Sequence, residues 1–154
     1  MNPRSAALLT AHGALILLLA CAIGFPFAEV LKADLGLPGW FPAPGNFRAW
    51  HMAHLEALLN GMLVLAGAAV ATRLVLSRAL EATTFWGLLA TGWGNSLGAL
   101  VAALDGGKRI VTLGAGDQNL LAFGLFSVAA VGGIVALAAL VVGGFRTARA
   151  PVPS

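Results

Sequence analysis

The sequence predicts an all-α integral membrane four-helix bundle. The chain is 59% hydrophobic and 10% charged, with a mean hydropathy of +0.90. Soluble domains carry roughly 25% charged residues, so a chain this apolar cannot keep its surface in water. Its apolar residues also fall into four runs, each long enough for the roughly 20 residues that a spanning helix needs. With 154 residues, the chain makes one transmembrane domain, 1–154.

The first span runs from about Ala6 to Val30, through ALILLLACAIG. Pro26 near its end is tolerable in a membrane helix. The second runs from about Ala49 to Leu76, the third from about Leu80 to Leu104 and the fourth from about Gln118 to Phe145. The segment Lys32–Phe47 holds Pro38, Pro42 and Pro44 and is irregular, and the polar tail 146–154 is expected to be disordered. A rival reading takes Arg4, the apolar stretch and LLAC ending at Cys21 as a lipoprotein signal peptide. Against it, no soluble domain follows and His12 interrupts the stretch.

The net charge of +3 and pI of about 10.0 do not describe a nucleic-acid binder. The basic residues are few and lie between apolar runs, as topology and lipid-headgroup charges do. An even helix count puts both termini on one side with Arg4, Arg73, Arg78, Arg146 and Arg149, a slight bias that places them in the cytoplasm. The single Cys21 excludes a disulfide within the chain. Ala90, Gly94, Gly98 and Ala102 recur every fourth position and form one small-residue face, for packing either within a subunit or between subunits.

Polar residues in lipid are costly and mark function. The second span holds His51, His54, Glu56 and Asn60, the third Trp93, Asn95 and Ser96, and the first His12. At a rise of about 1.5 Å per residue, His54 lies roughly 8 Å, Asn60 roughly 17 Å and Asn95 roughly 14 Å from the membrane face opposite the termini. Together with Trp93 they can share one layer, capped by the loop bearing Asp117. His12 falls about 20 Å away in depth, so it cannot grip one metal together with His54 of the same subunit. His51 and His54 stand on one helix and cannot face each other across a porphyrin. They leave open either a shared Zn²⁺ or a haem with one His ligand and an open position, as Lewis-acid chemistry needs.

The segment Trp50-His51-Met52-Ala53-His54, followed by Asn60-Gly61-Met62, resembles that of bacterial styrene oxide isomerases. Gly92-Trp93-Gly94-Asn95 resembles their Gly-Trp-Ala-Asn, Gly114-Ala115-Gly116-Asp117 their Gly-Pro-Gly-Asp, and His12-Gly13 a His-Gly of their first helix. The resemblance covers nearly the whole chain in order. It implies a multi-pass protein of the bacterial inner membrane and a homotrimer holding haem b between subunits. His54 would be the metal ligand, with Trp50, Trp93 and Asp117 also toward the cofactor. Asn60 and Asn95 would be the catalytic pair acting on an aryl epoxide, rearranged to an aldehyde by Lewis-acid ring opening and a hydride shift. Two positions depart from the family: Ala99 stands where a Tyr is expected and Thr91 where an Asp is expected. Loss of the phenol predicts a larger pocket. The rival readings are a non-catalytic haem-binding membrane protein and an accessory membrane subunit without cofactor.

Overall fold

A computed structural model describes residues 1–105 and 117–150, save the side chain of Gln118. Four helices follow one another: α1 (Pro3–Asp34), α2 (Phe47–Ala71), α3 (Arg78–Leu104) and α4 (Asp117–Ala148). All four are long and apolar enough to cross a membrane, and no strand occurs among the described residues. The expected four-helix membrane bundle is thus the fold.

The helices overrun the apolar spans because polar residues cap them. Asn2 accepts from the Ser5 N–H ahead of Pro3, which fits the first turn since it has no N–H to lose. At its other end α1 continues to Asp34 and stops at Gly36, whose φ of +68° favours glycine. There the Leu37 N–H reaches the Lys32 carbonyl and the Gly36 N–H that of Ala33, closing the last turn. Asn46 and Ser77 cap α2 and α3 in the same way as Asn2.

Helix α2 stops at Ala71 rather than 76, although the apolar run continues. Leu74 and Leu76 lie in the turn before α3 and cover Gly143 of α4, so their hydrophobicity serves packing and not a span. Helix α4 runs to Ala148, beyond the expected end at 145, and the tail 151–154 lies outside the described residues.

Alternate helices run in opposite directions. The Met1 ammonium donates to the Ala71 carbonyl, Asn2 to the Glu81 carboxylate, and the Val75 N–H to Thr147 Oγ1. Both ends of the bundle's chain path therefore lie at one end with the α2–α3 turn. α1 packs on α2, α2 on α3 and α3 on α4, with a smaller α1–α3 contact. One core cluster, nearer the Leu35–Asn46 segment, gathers Ala20, Ile23, Trp50, Ala57, Ala99 and Phe126. The other, nearer the termini, gathers Leu9, Ile16, Val64, Leu88 and Ala136. The outer faces of α1 and α4 expose Leu18, Phe25, Val131 and Ile134, as lipid-facing surfaces do.

The small-residue stripe is used within the chain. A side-chain carbon on Gly94 would stand 2.7 Å from the Leu125 carbonyl of α4, and one on Gly132 2.8 Å from Ala90 Cβ. Of the two readings left open, packing within the subunit is the one this stripe serves. Gly94→Ile should therefore destabilise the bundle by about 1–3 kcal/mol through overpacking. Gly124→Ala, where a side chain meets open space, should leave the melting temperature in detergent unchanged.

Candidate functional site

His54 is half-buried on α2, facing α1. Its Nδ1 lies 2.9 Å from the Ala20 carbonyl. A carbonyl can only accept, so Nδ1 carries the ring proton and Nε2 keeps its lone pair. This is the arrangement of metal-ligating histidines, in which a backbone acceptor fixes tautomer and ring orientation. Gly24 lies beside the ring, where a side-chain carbon would stand in ordinary contact, 3.4 Å from His54 Cε1. Phe27 of α1 stacks on His54 at 5.7 Å between centroids and on His51 at 5.4 Å, and Phe47 stacks on His51 at 5.6 Å. Among the described residues no three His, Cys, Asp or Glu side chains gather as a metal cage. A group needing one nitrogen ligand beside apolar and aromatic surface fits His54 better than a Zn²⁺ shared by His51 and His54.

Asn60 is buried between α2 and α3, 8% exposed. Its Nδ2 donates to the Glu56 carbonyl at 2.8 Å, and its Oδ1 accepts from Asn95 Nδ2 at 3.1 Å. The structure thus joins the two candidate catalytic asparagines directly. It does not join them to His54 within the chain. Six residues of α2 separate His54 from Asn60, which is about 9 Å of rise and roughly 120° of rotation.

Trp93 turns elsewhere. Its Nε1–H donates to His12 Nδ1 at 3.1 Å, with the rings edge-on at 88°. The depth reckoning that set His12 far from Trp93's layer is therefore corrected. Gly13, beside His12, meets the Gly61 backbone, so His12 stands level with Asn60 and Asn95. The reckoning erred because α2 ends at Ala71 rather than 76 and α1 begins at Pro3 rather than 6, so that both helices were misplaced at the end near the termini.

The family model of styrene oxide isomerase matches residues 5–145. The chain belongs to the styrene oxide isomerase family. Among curated proteins none matches it.

In this styrene oxide isomerase family member, both departing positions are built into packing. Ala99 is fully buried in the core cluster that holds Trp50 and Phe126. The larger pocket expected from the missing phenol is not opened there, because neighbouring side chains close over the position. Thr91 is buried against α4, its hydroxyl bonding the Gly87 carbonyl at 2.8 Å and the Ala129 carbonyl at 3.0 Å. Asp117 is the first residue of α4 and exposed, while Gly114, Ala115 and Gly116 of its motif lie outside the described residues, as do Lys108 and Arg109.

Trp50 is buried, and its indole N–H donates to the Pro44 carbonyl at 2.5 Å. It ties the Leu35–Asn46 segment to the helix that carries His54. Sequence reasoning missed the second tie. Glu29 is buried near the end of α1, accepting from Lys32 Nζ at 2.6 Å and from the N–H groups of Trp40 and Phe41. Its signal was a carboxylate inside an apolar run with a Lys three residues on. Glu29→Leu removes three hydrogen bonds at once. It should speed protease cleavage between Leu35 and Asn46 severalfold while the helical circular dichroism stays intact.

Proposed function

We propose that the protein is a haem b-dependent membrane isomerase that converts an aryl epoxide, such as styrene oxide, to the aldehyde. The observation that carries this reading is the 2.9 Å approach of His54 Nδ1 to the Ala20 carbonyl, which spends Nδ1–H there and leaves Nε2 as a ligand. Family membership supplies the reaction class. The reaction opens one epoxide C–O bond, moves a hydride between adjacent substrate carbons and forms a C=O bond, so no electrons are gained or lost. When bound, ferric haem supplies a Lewis acid for the epoxide oxygen.

The chain's own residues do the rest. His54 would hold the haem iron through Nε2, while the Ala20 carbonyl keeps the imidazole oriented. Asn60 has one amide N–H on the Glu56 carbonyl and a second available to the oxygen that gains negative charge. Asn95 fixes the Asn60 amide by donating to its oxygen. Apolar walls keep water from trapping the cation as a diol. No general base is required, because the hydride moves within the substrate.

Asn60 and Asn95 lie on a different side of α2 from His54. That separation favours haem held between neighbouring copies in a homotrimer, His54 from one copy and the asparagines from the next. Three-fold rings are heterologous, so unlike faces meet. The bundle lies in the bacterial inner membrane, with its termini in the cytoplasm.

Purified protein should show a Soret band that His54→Ala abolishes and His51→Ala keeps. Ferric protein should form phenylacetaldehyde from styrene oxide, and reduction to ferrous haem should slow it. Asn60→Ala should lower turnover about 10²-fold, as loss of one preorganised donor does, with the Soret band retained. A loaded protein that turns over no aryl epoxide would instead be a non-catalytic haem protein.

A further inference from the structure

The two polar pairs at one level of the bundle are each incomplete, in opposite senses. Indole N–H only donates, so His12 Nδ1 accepts from Trp93 and the ring proton sits on Nε2. His12 is thus the reverse of His54: it presents a donor where His54 presents a lone pair. Among the described residues nothing accepts from His12 Nε2.

In the other pair, the two bonds run one way. Asn95 Nδ2 donates to Asn60 Oδ1, and Asn60 Nδ2 donates to the Glu56 carbonyl. Asn95 Oδ1 therefore remains an acceptor, and among the described residues nothing donates to it. Both His12 and Asn95 are partly exposed, so these atoms face outward from the bundle. In hydrocarbon no water completes them, and each is costly as it stands.

Their placement rules out completion within one chain and allows it between two. Trp93 and Asn95 are two residues apart on α3, about 3 Å of rise and roughly 160° of rotation. Trp93 faces α1 and Asn95 faces α2. The open donor and the open acceptor therefore share a depth but lie on different faces. Copies arranged around an axis along the membrane normal bring equal depths together, and a heterologous ring brings unlike faces together.

We propose that His12 donates its Nε2–H to the side-chain oxygen of Asn95 of the partner subunit. The bond completes one directed chain: Trp93 to His12, then across the interface to Asn95, Asn60 and the Glu56 carbonyl of the partner subunit. His12 is then a positioning residue, acting on Asn60 through Asn95 and tying each copy to the next. The inference rests on the assembly reading above and adds the contact that closes it.

The test is short-range cross-linking in lipid nanodiscs. It uses a Cys21→Ala background, because Cys21 is the chain's one cysteine and is exposed. His12→Cys and Asn95→Cys together, treated with a short bis-methanethiosulfonate, should give covalent dimers and trimers on a denaturing gel. Each substitution alone should give none. Cross-linking by His12→Cys alone would overturn the proposal, because like faces would then be meeting.

A second measurement does not depend on the cysteines. His12→Phe and Asn95→Leu should each weaken assembly in native mass spectrometry about three- to tenfold, the range of interhelical hydrogen bonds in membranes. The double variant should be no weaker than either single one. Additive losses, or no loss, in a protein that still assembles and shows its Soret band would overturn this contact alone. A wild-type protein that is monomeric in mild detergent would overturn it together with the assembly reading.

Discussion

The site depends on how closely α1 lies against α2. Gly13 and Gly61 meet backbone to backbone, and a side-chain carbon on either would stand 3.1 Å from the other's carbonyl. In lipid there is little hydrophobic force between helices, so such close van der Waals contact is what holds them. Two turns further along α1, the same proximity lets the Ala20 carbonyl reach His54. Had the helices stood apart by one more methyl group, the imidazole would have no acceptor at Nδ1. Neither its tautomer nor its orientation would then be fixed. Phe27, stacked on His51 and His54, fills the rest of that seam.

The bundle spends its few polar groups in two different ways. At the end away from the termini, Glu29 and Trp50 tie down backbone, accepting from Trp40 and Phe41 and donating to Pro44. Those groups are consumed inside the chain, and they hold an irregular segment whose Trp40 remains 82% exposed. Nearer mid-membrane, among the described residues, the His12–Trp93 pair leaves the His12 Nε2–H open, and the Asn60–Asn95 pair leaves the Asn95 oxygen and a second amide N–H on each asparagine. His54 belongs with the second kind, since its Nε2 carries the lone pair that a metal takes.

α3 organises this division because it serves three neighbours. Gly94 and Gly98 give α4 its close approach, Trp93 turns to α1 and Asn95 to α2. The same helix therefore spaces the two polar pairs and welds α4 to the rest. Thr91 also belongs to the α4 contact, its hydroxyl shared between carbonyls of both helices. An acidic side chain there would face those carbonyls rather than a ligand.

The sequence alone makes the number, order and direction of the helices legible. Those follow from apolar run lengths, whereas the caps Asn2, Asn46 and Ser77 set helix ends that run length does not mark. It also placed Asn60 beside Asn95, because two helices of known direction share depth by simple rise. What it could not decide was lateral: which way each side chain points around its helix and what lies across from it. Rotation by 100° per residue is legible, but its zero is set only by packing. So Trp93 and Asn95 could be placed in one layer but not told apart by direction, the position of the expected Tyr, Ala99, proved to be core, and the small-residue stripe could not be assigned to α4. The opposite tautomers of His12 and His54 are tertiary facts for the same reason. Each is fixed by whether an indole N–H or a carbonyl oxygen happens to stand across the seam.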